Sequence, residues 1–158
     1  NVEITPYRHL PGKVPDVKDS KAWVPSVVVT AFVENKTGHR VPDGWLWSGK
    51  VVLEVTAKNP MEKDADKQEM FKATKTWFEI GVDMDRDMRY GAWQIKEIID
   101  MTLPPLQTQR EQYLINFDTD TEQVELEAKL FYYISGGKGE LVYSVKETLT
   151  FETDWTII

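Results

Sequence analysis

The two histidines are the residues of this chain best suited to bind a ligand, and both lie near turn-forming residues. His39 belongs to residues 35–44, NKTGHRVPDG, which follow the apolar run 27–33. His9 is followed closely by Pro11 and a glycine, which predicts a second loop. A neutral imidazole binds metal ions and haem iron, and a loop can aim its ring outward. The sequence therefore gives His9 and His39 as candidate metal and cofactor ligands.

Each histidine also has a structural interpretation. The ring of His39 could close its own loop by hydrogen bonds to backbone groups, which is the more frequent role of a loop histidine. His9 lies in a flanking segment that does not itself require a buried hydrogen bond, so both roles stay open there. The sequence alone does not decide between ligand and loop closure at either position.

Two further motifs have plain structural interpretations. Residues 83–87, DMDRD, alternate aspartates as calcium loops do, but lack the following glycine and the terminal glutamate of such loops. Arg86 also places a cation among these carboxylates, so a solvent-exposed hairpin turn is expected. Residues 35–37, Asn-Lys-Thr, match the glycosylation sequon, which matters only in a secretory context that modifies it.

Composition excludes several classes of function. The chain has no cysteine, which excludes disulfides, thiolate catalysis, iron–sulfur ligation and covalent haem attachment within these residues. A net charge of −7 argues against nucleic-acid binding, because nothing would neutralise the phosphates. No apolar run approaches the roughly 20 residues that cross a bilayer. Two histidines and no cysteine leave few side chains that could serve nucleophilic hydrolysis, so we do not expect an enzyme.

The elements that position these residues are predicted to be strands. Alternation of polar and apolar residues, broken by proline, glycine and aspartate, recurs along most of the chain. The predicted strands cover residues 27–34, 50–57, 74–82, 110–117, 123–134 and 140–151, the last two forming a hairpin. Residues 61–73 contain good helix formers and could form a short helix, although they lack a clean apolar stripe.

This pattern predicts an all-β, immunoglobulin-like antiparallel β-sandwich of about six to eight strands. The 158 residues fit one domain. We expect the sandwich over residues 23–158, preceded by an extended N-terminal segment, residues 1–22, that packs on a neighbouring module. Since the chain begins at Asn1 without an initiator methionine, it is expected to be processed or part of a longer protein.

Four segments carry a resemblance to a known family. Residues 29–44 resemble a strand followed by Asn and Gly-His in the β-sandwich domains of bacterial multihaem c-type cytochromes. Residues 9–12 are similar to an element before that sandwich, and residues 100–105 to an Asp-x-x-apolar-Pro entry into a strand. Residues 124–133 resemble its final strand. These segments occur in the order that the family has.

The resemblance implies a non-haem part of a cytochrome, because the Cys-x-x-Cys-His motifs that anchor haem in the family are missing here. Haem c would be held by a partner chain or a preceding domain, and His9 and His39 would be the residues to reach it. Family members are exported, so the resemblance also implies an extracytoplasmic location, either the periplasm or the cell surface.

The sequence therefore predicts a structural and interaction role in a multihaem electron-transfer assembly. A carbohydrate-binding or adhesion module that uses Trp45 and Trp47 is the alternative, and a hydrolase built on acidic residues is a third. Partners would be the multihaem cytochrome module and, through open edge strands, further copies in a homo-oligomer or filament.

Overall fold

A computed structural model describes residues 1–9, 24–43, 49–89, 91–134 and 139–151, with the backbone alone for residues 7–9. Within them the chain forms eight strands and one helical turn. In chain order these are β1 (Val2–His9), β2 (Val24–Glu34), β3 (Lys50–Lys58), α1 (Ala65–Gln68), β4 (Glu69–Val82), β5 (Glu97–Met101), β6 (Thr108–Asn116), β7 (Gln123–Tyr133) and β8 (Glu140–Thr150).

The strands form two antiparallel sheets that make a β-sandwich. One sheet has the order β1-β2-β6, and the other has the order β5-β4-β3-β7-β8. These orders match the A-B-E strands and the C″-C′-C-F-G strands of an immunoglobulin variable-type sandwich. The predicted all-β sandwich is therefore confirmed, at the upper end of the predicted number of strands.

The core lies between the sheets and follows the alternation of the sequence. On β2, Val27, Val29 and Ala31 are buried, and they face buried residues of β3 and β7 such as Val55 and Leu126. Successive side chains of a strand point to opposite faces, so every second residue enters the core. Helix α1 does not contribute to this core, because it contains no buried residue.

The predicted strands are confirmed with changes at their ends, and the short helix considered for residues 61–73 is reduced to a single turn. Only Ala65–Gln68 is helical, with Asp64 as its N-cap, and β4 begins directly at Glu69. A strand forms here because Phe71 packs against the core and Ala73 pairs with Val55 of β3. A long helix there would give up those sheet contacts.

The N-terminal segment contributes a strand that the sequence analysis did not predict. Residues Val2–His9 pair along their whole length with β2, and Val2 and Ile4 pack against the core. The prediction that His9 lies in a loop was wrong, because its backbone pairs with Val24 at the end of β1. The boundary predicted between residues 1–22 and 23–158 stays a prediction, since residues 10–23 lie outside the described ones.

Candidate functional site

The candidate site is the loop after β2, residues 35–43, hereafter the His39 loop. It lies against the segment that joins β5 to β6. Val41 and Leu103 exchange two backbone hydrogen bonds of 2.9 and 2.8 Å, and the Asn35 N–H donates to the Gln107 carbonyl oxygen at 2.9 Å. The structure thus brings together two of the segments that carried the family resemblance, residues 29–44 and 100–105.

Asn35 holds the His39 loop in place. Its side chain is buried, and Nδ2 lies 2.8 Å from the carbonyl oxygen of His39, 3.1 Å from that of Leu103 and 3.0 Å from that of Pro104. The amide has two protons, so one of them is shared between acceptors. Three carbonyls from two segments of the chain therefore converge on a single side chain, which makes Asn35 the central residue of this loop.

The other end of the Asn35 amide is also occupied. Oδ1 accepts hydrogen bonds from the Thr37 N–H at 3.0 Å and from the Thr37 hydroxyl at 2.8 Å. The hydroxyl oxygen also lies 2.7 Å from the His39 carbonyl oxygen, so its one proton is shared between two acceptors. With Asn35 only 4% exposed, the sequon is part of the folded loop.

Arg40 ties the His39 loop to the edge of the larger sheet. Its Nη1 donates to Oδ2 of Asp100 at 3.1 Å, and its Nη2 lies 3.0 Å from Oε1 of the buried Glu79, without hydrogen-bond alignment. Glu79 and Asp100 are direct cross-strand neighbours on β4 and β5. Arg40 therefore compensates two carboxylates that the register of this strand pair places side by side.

Asp100 is further stabilised as a carboxylate by Thr102. The Thr102 hydroxyl and the Thr102 N–H both donate to Oδ1, at 2.6 and 2.9 Å. These two bonds, the hydroxyl first, lower the pKa of Asp100 below its usual value of 3.8. Burial opposes them more weakly than either bond acts, and Arg40 lowers the pKa further. The charged Asp100 holds Arg40 in an ion pair, and this ion pair fixes the His39 loop to β5.

The ring of His39 is oriented by the backbone of the next residue. Nδ1 lies 2.9 Å from the Arg40 carbonyl oxygen. Since a carbonyl only accepts hydrogen bonds, Nδ1 must carry the proton in the neutral ring, and Nε2 carries the lone pair. Asp43 Oδ2 lies 3.5 Å from the same Nδ1. This is the tautomer in which a histidine can bind a metal through Nε2.

His39 is accessible to a partner. Its side chain is 57% exposed, and Nε2 has no hydrogen-bond partner among the described residues. The donor chemistry therefore fits a haem ligand, with the second ring nitrogen fixed by a carbonyl, as is usual for ligating histidines. The predicted loop-closing hydrogen bond is present, and the ligand role of Nε2 stays a prediction.

His9 and the tryptophans cannot be placed in this site. The side chain of His9, like the segment with Trp45 and Trp47, lies outside the described residues. Among the side chains that are described, no group of three or more His, Asp or Glu could hold a metal ion. The described part of the chain thus has no metal centre built from its own side chains. A haem held elsewhere would need only one nitrogen from this loop as an axial ligand.

The aspartates of residues 83–87 form a turn, as predicted. Asp83 Oδ1 accepts the N–H groups of Asp85 and Asp87 at 2.9 and 3.0 Å, and Oδ2 accepts from Arg89 Nε at 2.8 Å. Desolvation would raise the pKa of Asp83, but these hydrogen bonds and the charge of Arg89 together lower it. Both carboxylate oxygens are occupied by donors of the turn itself.

Sequence analysis missed two residues of the site, Arg40 and Glu79. Arg40 lies in residues 35–44 but was given no role there, and Glu79 stands in no recognisable motif; the ion pairs of Arg40 with Glu79 and Asp100 depend on the pairing of β4 with β5. Since β5 was not predicted as a strand, the sequence offered no reason to place Glu79 beside Asp100. The signal for Asn35 was present in residues 29–44, but its role as an anchor appears only in three dimensions.

Comparisons with known proteins give a likeness of fold. No protein-family model and no curated protein sequence matches the chain. Among solved structures, the chain is similar to a penta-heme cytochrome c552 from Thermochromatium tepidum, with a TM-score of 0.57 and 13% sequence identity. The match covers 94% of this chain and 39% of that one, so the likeness concerns the sandwich.

No helix of the described residues is long and apolar enough to cross a membrane.

Proposed function

We propose that this chain is a non-haem structural and interaction domain or subunit of an extracytoplasmic multihaem cytochrome assembly. The observation that carries the proposal is the fold likeness to a penta-heme cytochrome over 94% of the chain, in a sequence without cysteine. A chain without cysteine cannot anchor haem c covalently. Haem would therefore be held by a partner chain or a preceding domain, and would supply one-electron transfer when bound.

His39 is the residue of the described structure that would reach such a haem. The Arg40 carbonyl holds the proton on Nδ1 and leaves Nε2 as the nitrogen with a lone pair. Asn35 and Arg40 hold the loop from both sides, so the ring needs little reorganisation on docking. His9 is the second proposed ligand, on the sequence pattern alone.

The remaining role of the domain is packing rather than reaction chemistry. A rigid sandwich against a haem would exclude water and fix the groups around it, and both effects change the reduction potential of haem. The domain would then serve electron transfer without being an enzyme. An extracytoplasmic location follows from the same proposal, because haem c is attached outside the cytoplasm in the family that the chain resembles.

The test is a visible absorption spectrum of the natively purified assembly that contains this chain, oxidised and then reduced with dithionite. Sharp low-spin haem bands that co-purify with the chain are expected, and a colourless assembly would overturn the proposal. His39→Ala and His9→Ala, made separately, should each change the spin state of one haem if the residue is a ligand. Lys36→Ala, in the same loop, is the matched control and should leave the spectrum unchanged.

A further inference from the structure

Large apolar side chains are exposed together at one edge of the larger sheet. They belong to the end of β4, to β5 and to the described part of their connection, residues 78–89 and 91–101, which we call the β4–β5 arm. Its exposed apolar residues are Met84, Met88, Trp93, Ile98, Ile99 and Met101. Trp93 is 83% exposed and Met84 79%. Such exposure of tryptophan and methionine, at one place, is typical of a surface that binds another protein.

Both faces of β5 expose apolar side chains, although Arg40 contacts Asp100 on one of them. β5 pairs with β4 alone, and all five of its residues are exposed. The register puts Ile99 opposite Ile80 and Met101 opposite Phe78 on one face, whereas Ile98 lies on the other face opposite Gly81. A flat docking surface would need apolar residues on one face only. An arm that is apolar on both faces suits insertion into a groove.

The size of this apolar surface is that of an interface. Six exposed side chains of this kind present on the order of 600 Å² of apolar area, at the upper limit for a free monomer. A standard interface buries roughly 800 Å² on each partner. A two-stranded ribbon is also only marginally stable without a covering surface. Burial of the arm would therefore stabilise it and supply most of an interface.

The charge of the chain indicates the chemistry of the partner. The net charge is −7, and residues 78–101 carry six acidic and three basic side chains. Asp85 and Asp87 are exposed near Met84, with Arg86 between them and Arg89 Nη2 at 3.4 Å from Asp87 Oδ2, so the arm keeps an excess of negative charge. A second copy would bring like charges together, which opposes association. A groove that is apolar at its floor and carries lysine or arginine at its rim complements both the apolar residues and these carboxylates.

We infer that the β4–β5 arm inserts into such a basic-rimmed apolar groove of the haem-bearing module. This inference rests on the proposed function and deepens it by naming the element that makes the contact. Arg40 links the arm to the His39 loop through Asp100. Docking of the arm would therefore also fix the position of His39 relative to the partner.

Oxidative footprinting tests this contact, because methionine and tryptophan side chains are readily oxidised when exposed. The native assembly and the isolated 158-residue chain are exposed to hydroxyl radicals, and oxidation is measured by mass spectrometry. We expect a several-fold lower oxidation rate at Met84, Met88 and Trp93 in the assembly. Met61, which is 70% exposed and far from the arm in sequence, is the internal control and should react equally in both samples.

Every outcome bears on the inference. Equal oxidation of the arm in a haem-containing assembly overturns the arm contact and leaves the proposed function standing. A colourless assembly overturns both. Protection of the arm in the isolated chain that grows with its concentration assigns the arm to a second copy, and so contradicts the partner named here.

A pair of variants gives an independent readout. Met84→Ser should weaken the association with the haem-bearing module at least severalfold, measured as haem retained on the tagged chain or, where the two are covalently joined, as proteolytic release. Met61→Ser, the same substitution at a similarly exposed site, should leave it unchanged. Circular dichroism checks that both variants fold. Equal retention by the two variants would overturn the inference.

Discussion

The side-chain nitrogen of Asn35 lies 3.1 Å from the carbonyl oxygen of Leu103, a residue 68 positions further along the chain. This buried contact joins the end of β2 to the segment that follows β5. It makes the His39 loop part of the sandwich rather than an independent surface loop, because the loop backbone finds its hydrogen-bond partners across the fold.

Asn35→Asp should destabilise the protein strongly. A carboxylate cannot donate to the carbonyls of His39, Leu103 and Pro104, and it would place negative charge among three acceptors. We expect the free energy of unfolding to fall by about 3 kcal/mol or more, measured by urea denaturation. Asn59→Ala is the control, because Asn59 Oδ1 accepts one exposed N–H, and its loss should cost about 1 kcal/mol or less. Similar losses for both would contradict the anchor role of Asn35.

Thr102→Val should weaken the dependence of stability on acid pH. Asp100 has a lowered pKa in the folded state, so its contribution is complete above its ordinary value of 3.8 and is lost as pH falls through the lowered pKa. The variant loses the hydroxyl that contributes most to this shift. Its destabilisation relative to wild type should therefore be present at neutral pH and shrink as the pH falls below 3.8.

Thr102→Ser is the matched control, because serine keeps the hydroxyl donor to Asp100. Thermal unfolding at a series of pH values from neutral to strongly acidic gives the comparison. If the valine and serine variants lose the same stability at every pH, the hydroxyl is not the cause of the Asp100 shift.

His39 should occur as the Nδ1-protonated tautomer when its ring is neutral. The reason is the Arg40 carbonyl, which accepts the Nδ1 proton at 2.9 Å. Long-range nitrogen–proton NMR correlations at alkaline pH distinguish the two tautomers directly. His39→Gln assigns the signals, since only one other histidine, His9, is present. A ring protonated mainly at Nε2 would contradict the geometry described and would weaken the proposed ligand role.

Two glycines should differ widely in their tolerance of alanine. Gly49 has a φ of 121°, and a Cβ there would lie 1.7 Å from the Tyr133 carbonyl oxygen. We expect Gly49→Ala to lower the free energy of unfolding by more than about 3 kcal/mol. A Cβ on Gly38 meets nothing within 4 Å, so Gly38→Ala should change stability by less than about 1 kcal/mol. Thermal or urea unfolding of both variants is the measurement.

The strands of the core could be predicted from the sequence because a strand with one buried face has an apolar residue at every second position. β2 and β7 are the clearest cases, and both were predicted nearly at their observed ends. β5 was missed because all five of its residues are exposed, so no alternation marks it. β1 was missed because the turn signals around His9 suggested a loop, whereas pairing with β2 extends the strand to that residue.

The candidate site was predictable only in part. His39 could be singled out by its residue type and by its position after a strand. The tautomer of its ring could not be predicted, because it depends on where the backbone carbonyl of Arg40 lies. The contact of Arg40 with Glu79 and Asp100 could not be predicted from the sequence either. Arg40 is 39 positions from Glu79 and 60 from Asp100, and only the pairing of the strands brings the three side chains together.

The burial of Asn35 has a consequence for the production of this protein in eukaryotic cells. Asn35 Nδ2, the atom to which a glycan would be attached, already donates hydrogen bonds to backbone carbonyls. The hydroxyl of Thr37, the threonine of the sequon, already donates to Oδ1 of the same side chain. Folding and glycosylation therefore compete for one atom. A secretory host that modifies the nascent chain would yield a product unable to close its His39 loop. Cell lines that secrete this protein in native form should deliver it unglycosylated at Asn35, and a bacterial host avoids the competition altogether.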